Sequence, residues 1–256
     1  MATIAITGSA GGIGAATRAR LELDGHTVVG VDVRDAEVVA DLSSPEGRAA
    51  MVEGVAAATD GVVDGVVAAA GLLGGDGPTV VAVNHFGAVA TLDGLRPLLE
   101  RGTSPSAVAV SSNSTSTFPD LPMAVVDACL AGDEDGARAA ATGADPVAVY
   151  PATKLALARW VRRSAVSAAW AGSGIRLNAV APGFIATPMT AGTEELVLGL
   201  GDVYPVPQRR AGQPDEVAGL LAYLLSPDAA FFCGSVVFMD GGTDAAVRPD
   251  RPDPRP

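Results

Sequence analysis

At 256 residues the chain is the size of one large α/β domain, and with 48% hydrophobic residues it has ample material for a core. No apolar run reaches the roughly 18 residues a membrane span needs, and a net charge of −12 speaks against nucleic acid or an anionic membrane as partner. Met1 leads straight into an apolar strand pattern with no basic n-region, so no signal peptide is expected, and the distant Cys129 and Cys233 fit no metal spacing, reading as buried free thiols in a reducing cytoplasm.

From the first residue, strand and helix signals alternate, which predicts a parallel sheet covered on both faces. Thr3–Thr7 is an apolar strand, and a glycine-rich turn leads into a helix over Gly12–Asp24 that Gly25 and His26 stop. Thr27–Asp32 is a second strand. Glu37–Asp41 reads as a third, with too few residues before it for a crossover helix, so a loop must cross. Ser44-Pro45-Glu46 supplies an N-cap, a first helical residue and an early acid for a helix to Thr59. A buried strand at Val63–Ala69 follows, then a long helix over Val80–Arg101 with Asn84 near its start, and a strand at Ala107–Ser111. The remaining pattern is helix Tyr150–Trp170, strand Ile175–Ala181, helix Pro214–Leu225 and strand Ser235–Met239. The predicted architecture is one α/β domain over residues 1–247, a doubly wound seven-stranded parallel sheet with helices on both faces.

Two segments break the rhythm. Asn113–Val147 stands between a strand and the helix that should follow it, and is far longer than the usual few residues. It holds two short helical stretches, Pro122–Ala131 and Glu134–Thr142. An insertion of that length is expected to be functional or a lid. The tail, 248–256, alternates proline with charge and is expected to be disordered or loosely docked.

Thr7-Gly8-Ser9-Ala10-Gly11-Gly12-Ile13-Gly14 lies between the first strand and the first helix. Glycines at 8, 12 and 14 permit a tight turn, close backbone approach to a pyrophosphate, and close packing of helix on strand. The helix start would then face phosphates with free N–H groups and the positive end of its dipole. Placed directly after an N-terminal strand and at a helix start, the turn is expected to be the nucleotide turn of a Rossmann fold, with a plain structural turn as the alternative. Asp32, at the tip of the second strand, can accept both ribose hydroxyls of NAD and repel the 2′-phosphate of NADP. Arg34 complicates that reading, since an arginine there can receive a 2′-phosphate. Asp41 could face the adenine edge or merely cap a helix.

Sixteen arginines accompany a single lysine, Lys154. Where positive charge alone would serve, this chain uses arginine, so Lys154 marks a place that needs an ammonium on a flexible stem. It lies four residues after Tyr150 on one helix, so the two side chains share a face. A free phenol titrates near ~10 and is a poor base, and a neighbouring ammonium brings it toward useful range.

The chain therefore resembles the short-chain dehydrogenase/reductase family. It carries that family's glycine turn at Thr7–Gly14, the Tyr-x-x-x-Lys pair at Tyr150–Lys154, an Asn-x-x-x-Pro-Gly at Asn178–Gly183 and an Asp-Gly-Gly at Asp240–Gly242. More narrowly it resembles the 3α-hydroxysteroid dehydrogenase/carbonyl reductase group, in the stretch Gly30–Glu37 and in the long segment before Tyr150. The resemblance implies an NAD-dependent enzyme interconverting a secondary alcohol and a ketone. It makes Tyr150 the general acid/base, Lys154 its partner and a ribose contact, Ser112 the hydrogen-bond partner of the substrate oxygen, and Asn84 the holder of a relay water. Ser114 is the alternative serine, and a helix cap is the alternative role for Asn84. On NAD the resemblance places Gly8, Gly12, Ile13, Gly14, Asp32, Asp41, Leu42, Ala70, Gly71, Pro182, Gly183, Ile185 and Thr187, besides Tyr150 and Lys154. His26 and His85 receive no role.

Two departures stand out. The family's Asn-Asn-Ala-Gly is here Ala68-Ala69-Ala70-Gly71, which keeps the backbone approach to adenosine and loses the bracing side chains. Ser112 and Tyr150 are separated by 37 residues, where commoner members have about a dozen, so the insertion is expected to loop away over the mouth of the site. Phe118, Leu121, Met123, Met189, Leu196 and Leu198 are candidates either to roof a large apolar pocket or to pack within a lid; a roof favours a large apolar substrate, and with it the resemblance implies a hydroxysteroid or similar carbonyl compound. A terpenoid, sugar or polyketide alcohol is the rival substrate, and a non-catalytic nucleotide sensor the rival function. The apolar sides of the two short helices need something to pack on, which points to a homo-oligomer, a dimer rather than a tetramer.

Overall fold

The computed structural model of the protein describes residues 1–251; the rest of the tail, to which part of the expectation for 248–256 applies, lies outside the described residues. A single seven-stranded parallel sheet organises it, in the order β3-β2-β1-β4-β5-β6-β7. The strands are β1 (Thr3–Thr7), β2 (Thr27–Asp32), β3 (Val38–Val39), β4 (Gly65–Ala68), β5 (Ser106–Val110), β6 (Arg176–Pro182) and β7 (Val236–Met239). The order reverses at β1, which pairs with β2 on one side and β4 on the other. Open parallel sheets bind ligands in the crevice at such a switch point, beyond the carboxyl ends of the strands.

Successive strand residues point to opposite faces and feed two cores. Ala5, Val29, Val31, Val66 and Leu177 face α2 (Pro45–Ala58), α4 (Ala88–Leu99) and α8 (Pro146–Ala165) through Met51, Leu92, Leu95 and Leu157. Ile4, Ile6, Val28, Val67 and Val180 face α1 (Gly12–Leu23) and α10 (Pro214–Leu225) through Leu21, Val217 and Leu221. Each such fully buried aliphatic side chain contributes about 1.5–3 kcal/mol.

Several boundaries differ from the sequence reading. The third strand is only Val38–Val39, because Glu37 turns aside to pair with Arg18 and to accept a hydrogen bond from Gly30 N. The loop crossover before it is present. The fourth strand is trimmed to Gly65–Ala68. The helix carrying Tyr150 begins a turn earlier, at Pro146, since Asp145 caps it by accepting from Val147 N at 3.0 Å, and it ends at Ala165. The Asp145-Pro146 pair is a cap followed by an N1 proline, a signal the sequence displayed. The long helix around Asn84 is three pieces: α3 (Gly77–Val81), a π-helical turn over Ala82–Gly87, and α4. Cys129 is buried as expected, but Cys233 is exposed.

The two ends of the insertion border the mouth, with Asn113, Ser114, Phe118 and Val147 lining the cavity there, but its helical body does not loop over it. After α5 (Ser114–Thr117), α6 (Met123–Ala131) and α7 (Glu134–Thr142) lie against α3 and the outer side of α8. Val125, Val126, Cys129, Ala137 and Ala141 are buried there with Val80, Val81, Val149, Ala152 and Ala156. The apolar sides that seemed to require another copy are satisfied within the chain. A half-buried ion pair pins the insertion: Glu134 takes both Arg48 amino groups, at 2.6 and 2.8 Å, while Arg48 also donates to Leu42 O and Ala82 O.

Candidate active site

A cavity of about 570 Å³ opens at the carboxyl ends of the strands. One end is the glycine turn. Gly8 has a φ of +73°, and a Cβ there would stand 2.8 Å from the Ala70 backbone. At Gly14 a Cβ would collide with Gly8 O at 2.0 Å. Only glycine permits this packing of turn, β4 end and helix start. The N-terminus of α1 has no side-chain cap, so its first N–H groups lack intrahelical partners and are free for phosphate oxygens.

Asp32 is fixed at the cavity edge, its carboxylate accepting from Ala10 N at 3.0 Å and from Val33 N at 2.8 Å. Arg34 points into solvent, its side chain 82% exposed and within 4.0 Å only of Asp35. Gly12, Ile13, Ala70, Gly71, Pro182, Gly183, Ile185 and Thr187 also line the cavity. Asp41 and Leu42 do not: Asp41 accepts from Ser43 N at the start of α2, and buried Leu42 gives its carbonyl to Arg48.

At the other end stand Ser112, Tyr150 and Lys154. Lys154 is enclosed; burial lowers its ammonium to about 8, and its Nζ donates to Val110 O at 2.8 Å. That Nζ sits 5.8 Å from the centre of the Tyr150 ring. Burial raises the Tyr150 phenol, and a hydrogen bond with Ser112 pulls it partly back. Ser112 is thus the serine whose hydroxyl acts on the tyrosine, while the Ser114 hydroxyl is buried without a partner among the described residues and Ser111 is committed to Lys154 O. Asn84 lies behind the cavity wall, its amide bonded to Leu72 N and Leu72 O and close to Thr153. It braces the loop after β4, the loop that lacks the family's asparagines. A π turn such as the one holding Asn84 is a frequent mark of a functional position.

Of the six roof candidates, Phe118 and Met189 line the cavity; Leu121, Met123, Leu196 and Leu198 do not. Val147, Val197 and Tyr204 do, and sequence reasoning missed them. Tyr204 is one of three tyrosines and carried the only available signal, an aromatic in a long glycine-rich connection. A second cavity of similar volume at the amino ends of the strands contains Asp64, whose carboxylate is committed to Thr3 N and Thr103 N.

A 3-alpha-hydroxysteroid dehydrogenase/carbonyl reductase of Comamonas testosteroni is 41% identical, covering 97% of this chain and 99% of that protein. The chain belongs to the short-chain dehydrogenase/reductase family. The crystal structure of a 3-alpha-hydroxysteroid dehydrogenase from Pseudomonas sp. B-0831 complexed with NADH superposes with a TM-score of 0.90 at 42% identity, covering 97% of this chain and 99% of that one. A levodione reductase of Leifsonia aquatica is 29% identical over 95% of the chain and 94% of the relative. A profile described as Enoyl-(Acyl carrier protein) reductase matches residues 134–244. These short-chain dehydrogenase/reductase relatives span the sheet and the insertion together. Among the described residues, no cluster of metal-ligating side chains occurs, and no helix is long and apolar enough to cross a membrane.

Proposed function

We propose that the chain is an NAD-dependent oxidoreductase that interconverts a secondary alcohol and its ketone, with a hydroxysteroid or similar large apolar carbonyl compound as substrate. One observation carries the reading: a half-buried tyrosine, set beside Ser112 and the chain's single lysine, shares a cavity with a glycine turn and a strand-tip carboxylate. The residues fit a dinucleotide. The α1 N-terminus would hold its pyrophosphate, Asp32 a ribose, and Lys154 the nicotinamide ribose. Bound there, NAD would supply a hydride acceptor at C4 and a positive charge beside the phenol.

Ser112 and Tyr150 would grip the substrate oxygen, and Tyr150 would exchange the proton with it. Burial alone pushes that phenol the wrong way, so the Lys154 ammonium must do the lowering in the loaded site. The relative with NADH supports the cofactor assignment, and the steroid-named relatives together with Phe118, Met189 and Val197 support an apolar substrate. With the outer side of α8 covered by the insertion, a dimer in our reading would use another surface. The free Cys129 thiol suits a cytoplasmic setting.

The test is reduced-nicotinamide absorbance with NAD or NADP and a panel of secondary alcohols. Asp32 repels a 2′-phosphate while Arg34 stands away, so kcat/KM should favour NAD at least about tenfold, some 1.4 kcal/mol. Equal use of both cofactors, or no turnover of any bulky alcohol, contradicts the reading.

A further inference from the structure

The connection from β6 to α10, residues 183–213, forms one wall of the cavity through Ile185, Thr187, Met189, Thr193, Val197 and Tyr204. It is closed at its base, where Ala186 N donates to Gly212 O and Gly212 N to Phe184 O, both at 2.9 Å. Between those ends its ties to the body of the protein are few and polar: near its end Gln208 N donates to Gly241 O at 3.3 Å and Arg210 pairs with Glu216 of α10, and further in stands the bond made by Tyr204. No residue from Ala186 to Arg210 is buried, and residues 191–203 take up short helical turns, α9 (Glu194–Leu198) and a 3-10 turn at Gly201–Val203. Their backbone bonds run within the connection, as from Val197 N to Thr193 O and from Val203 N to Leu200 O. Five to eight residues of unburied turn cannot hold one geometry unaided.

Tyr204 ends that stretch and leaves the connection. Its hydroxyl accepts from Asn113 Nδ2 at 2.9 Å and stands 3.1 Å from Asn113 Oδ1, to which it can donate. The Asn113 amide is oriented from behind, since Nδ2 also reaches Asp240 Oδ2 at 3.4 Å, and a carboxylate can face only the donor end of an amide. Asp240 in turn accepts from Gly242 N and Asp244 N at the end of β7. Asn113 is buried, follows Ser112 directly, and donates its backbone N–H to Pro182 O at the end of β6. The bond therefore joins the middle of a loose wall to the residue beside the serine that bonds Tyr150.

We propose that Tyr204 is a positioning residue that, through Asn113 and Asp240, latches the 183–213 wall against the Ser112 strand end and so sets the substrate side of the cavity. Both of its hydrogen-bonding partners on Asn113 are used, so Tyr204 acts on the wall and not on the proton transferred at Tyr150. The effect on substrate affinity rests on the oxidoreductase reading; the latch itself does not.

The experiment compares the full chain with Tyr204→Phe, which keeps the ring and removes the hydroxyl, and with Asn113→Ala, which removes the same bonds from the other side. Thermal melting first shows that each is folded. Limited trypsin digestion then follows cleavage after Arg209 and Arg210, the exposed basic residues at the end of the wall. Both variants should be cut there several-fold faster. In the NAD assay, KM for the ketone should rise by about five-fold or more, kcat should fall by less than KM rises, and the pH profile should stay in place. Wild-type cleavage rates in both variants overturn the latch. Faster cleavage with an unchanged KM overturns its role in substrate placement. If the wild-type protein turns over no alcohol, the oxidoreductase reading fails, and the trypsin rates still decide the latch.

Discussion

The insertion at 113–147 and the connection at 183–213 are both long, both rich in short helices, and both border the active-site helix or cavity, yet they are held in opposite ways. The insertion buries an apolar face: Val125, Val126 and Cys129 are inaccessible, and half-buried Glu134 meets buried Arg48. The connection buries no residue between Ala186 and Arg210 and reaches the body of the protein through polar bonds, from the Tyr204 hydroxyl to Asn113, from Gln208 N to Gly241 O and from Arg210 to Glu216. Apolar burial sums over many contacts and gives a permanent part of the fold. A few polar bonds can open. The difference predicts that damage to the insertion is read as lost stability, and damage to the connection as altered kinetics.

The sharpest break of that contrast is at the ion pair. Arg48 holds the Glu134 carboxyl below the ordinary carboxylate range. Glu134→Gln leaves Arg48 only partly compensated, and should cost about 2 kcal/mol in urea unfolding at neutral pH, less than the roughly 3–5 kcal/mol of a fully buried pair because Glu134 keeps some solvent contact. Because the folded-state pKa is depressed, this stability is present above the unfolded value and is lost as pH falls through the folded one. The gap between wild type and variant should therefore close in acid, below the normal glutamate range near ~4.3. A constant gap would mean that the pair is not what pins the insertion.

A smaller effect separates the two regions at matched residues. Val126→Ala should cost about 1–3 kcal/mol by leaving a cavity between α6 and α8. Val203→Ala, at a side chain 78% exposed in the connection, should change unfolding by less than about 0.5 kcal/mol. Equal costs would erase the distinction.

The sheet and the chemical pair were legible in the sequence because each rested on a strong local signal. Short apolar runs alternating with helix signals located the strands, and the lone Lys154 four residues after Tyr150 located the site. The glycine end of the cavity was legible for Gly8 and Gly14, where close backbone approach leaves no room for a side chain, and for Asp32 from its place at a strand tip. Asp41 was placed on the cofactor from a similar strand-end position and Leu42 by resemblance, and the structure commits them to the start of α2 and to Arg48. The insertion's helices were visible, but their docking was not. Which surface an alanine-rich amphipathic helix covers depends on Val80, Val149 and Ala156, far away in sequence. Tyr204 was illegible for the same reason: its partner, Asn113, is 91 residues distant.

The reading of the whole site turns on one hydroxyl. Tyr150→Phe keeps the ring in its place and removes only the group that bonds Ser112 and would carry the proton. Turnover of a bulky secondary alcohol with NAD should fall by at least about a hundredfold, while NADH affinity by fluorescence titration stays within a few-fold. A variant that retains even about a tenth of the wild-type turnover contradicts the account.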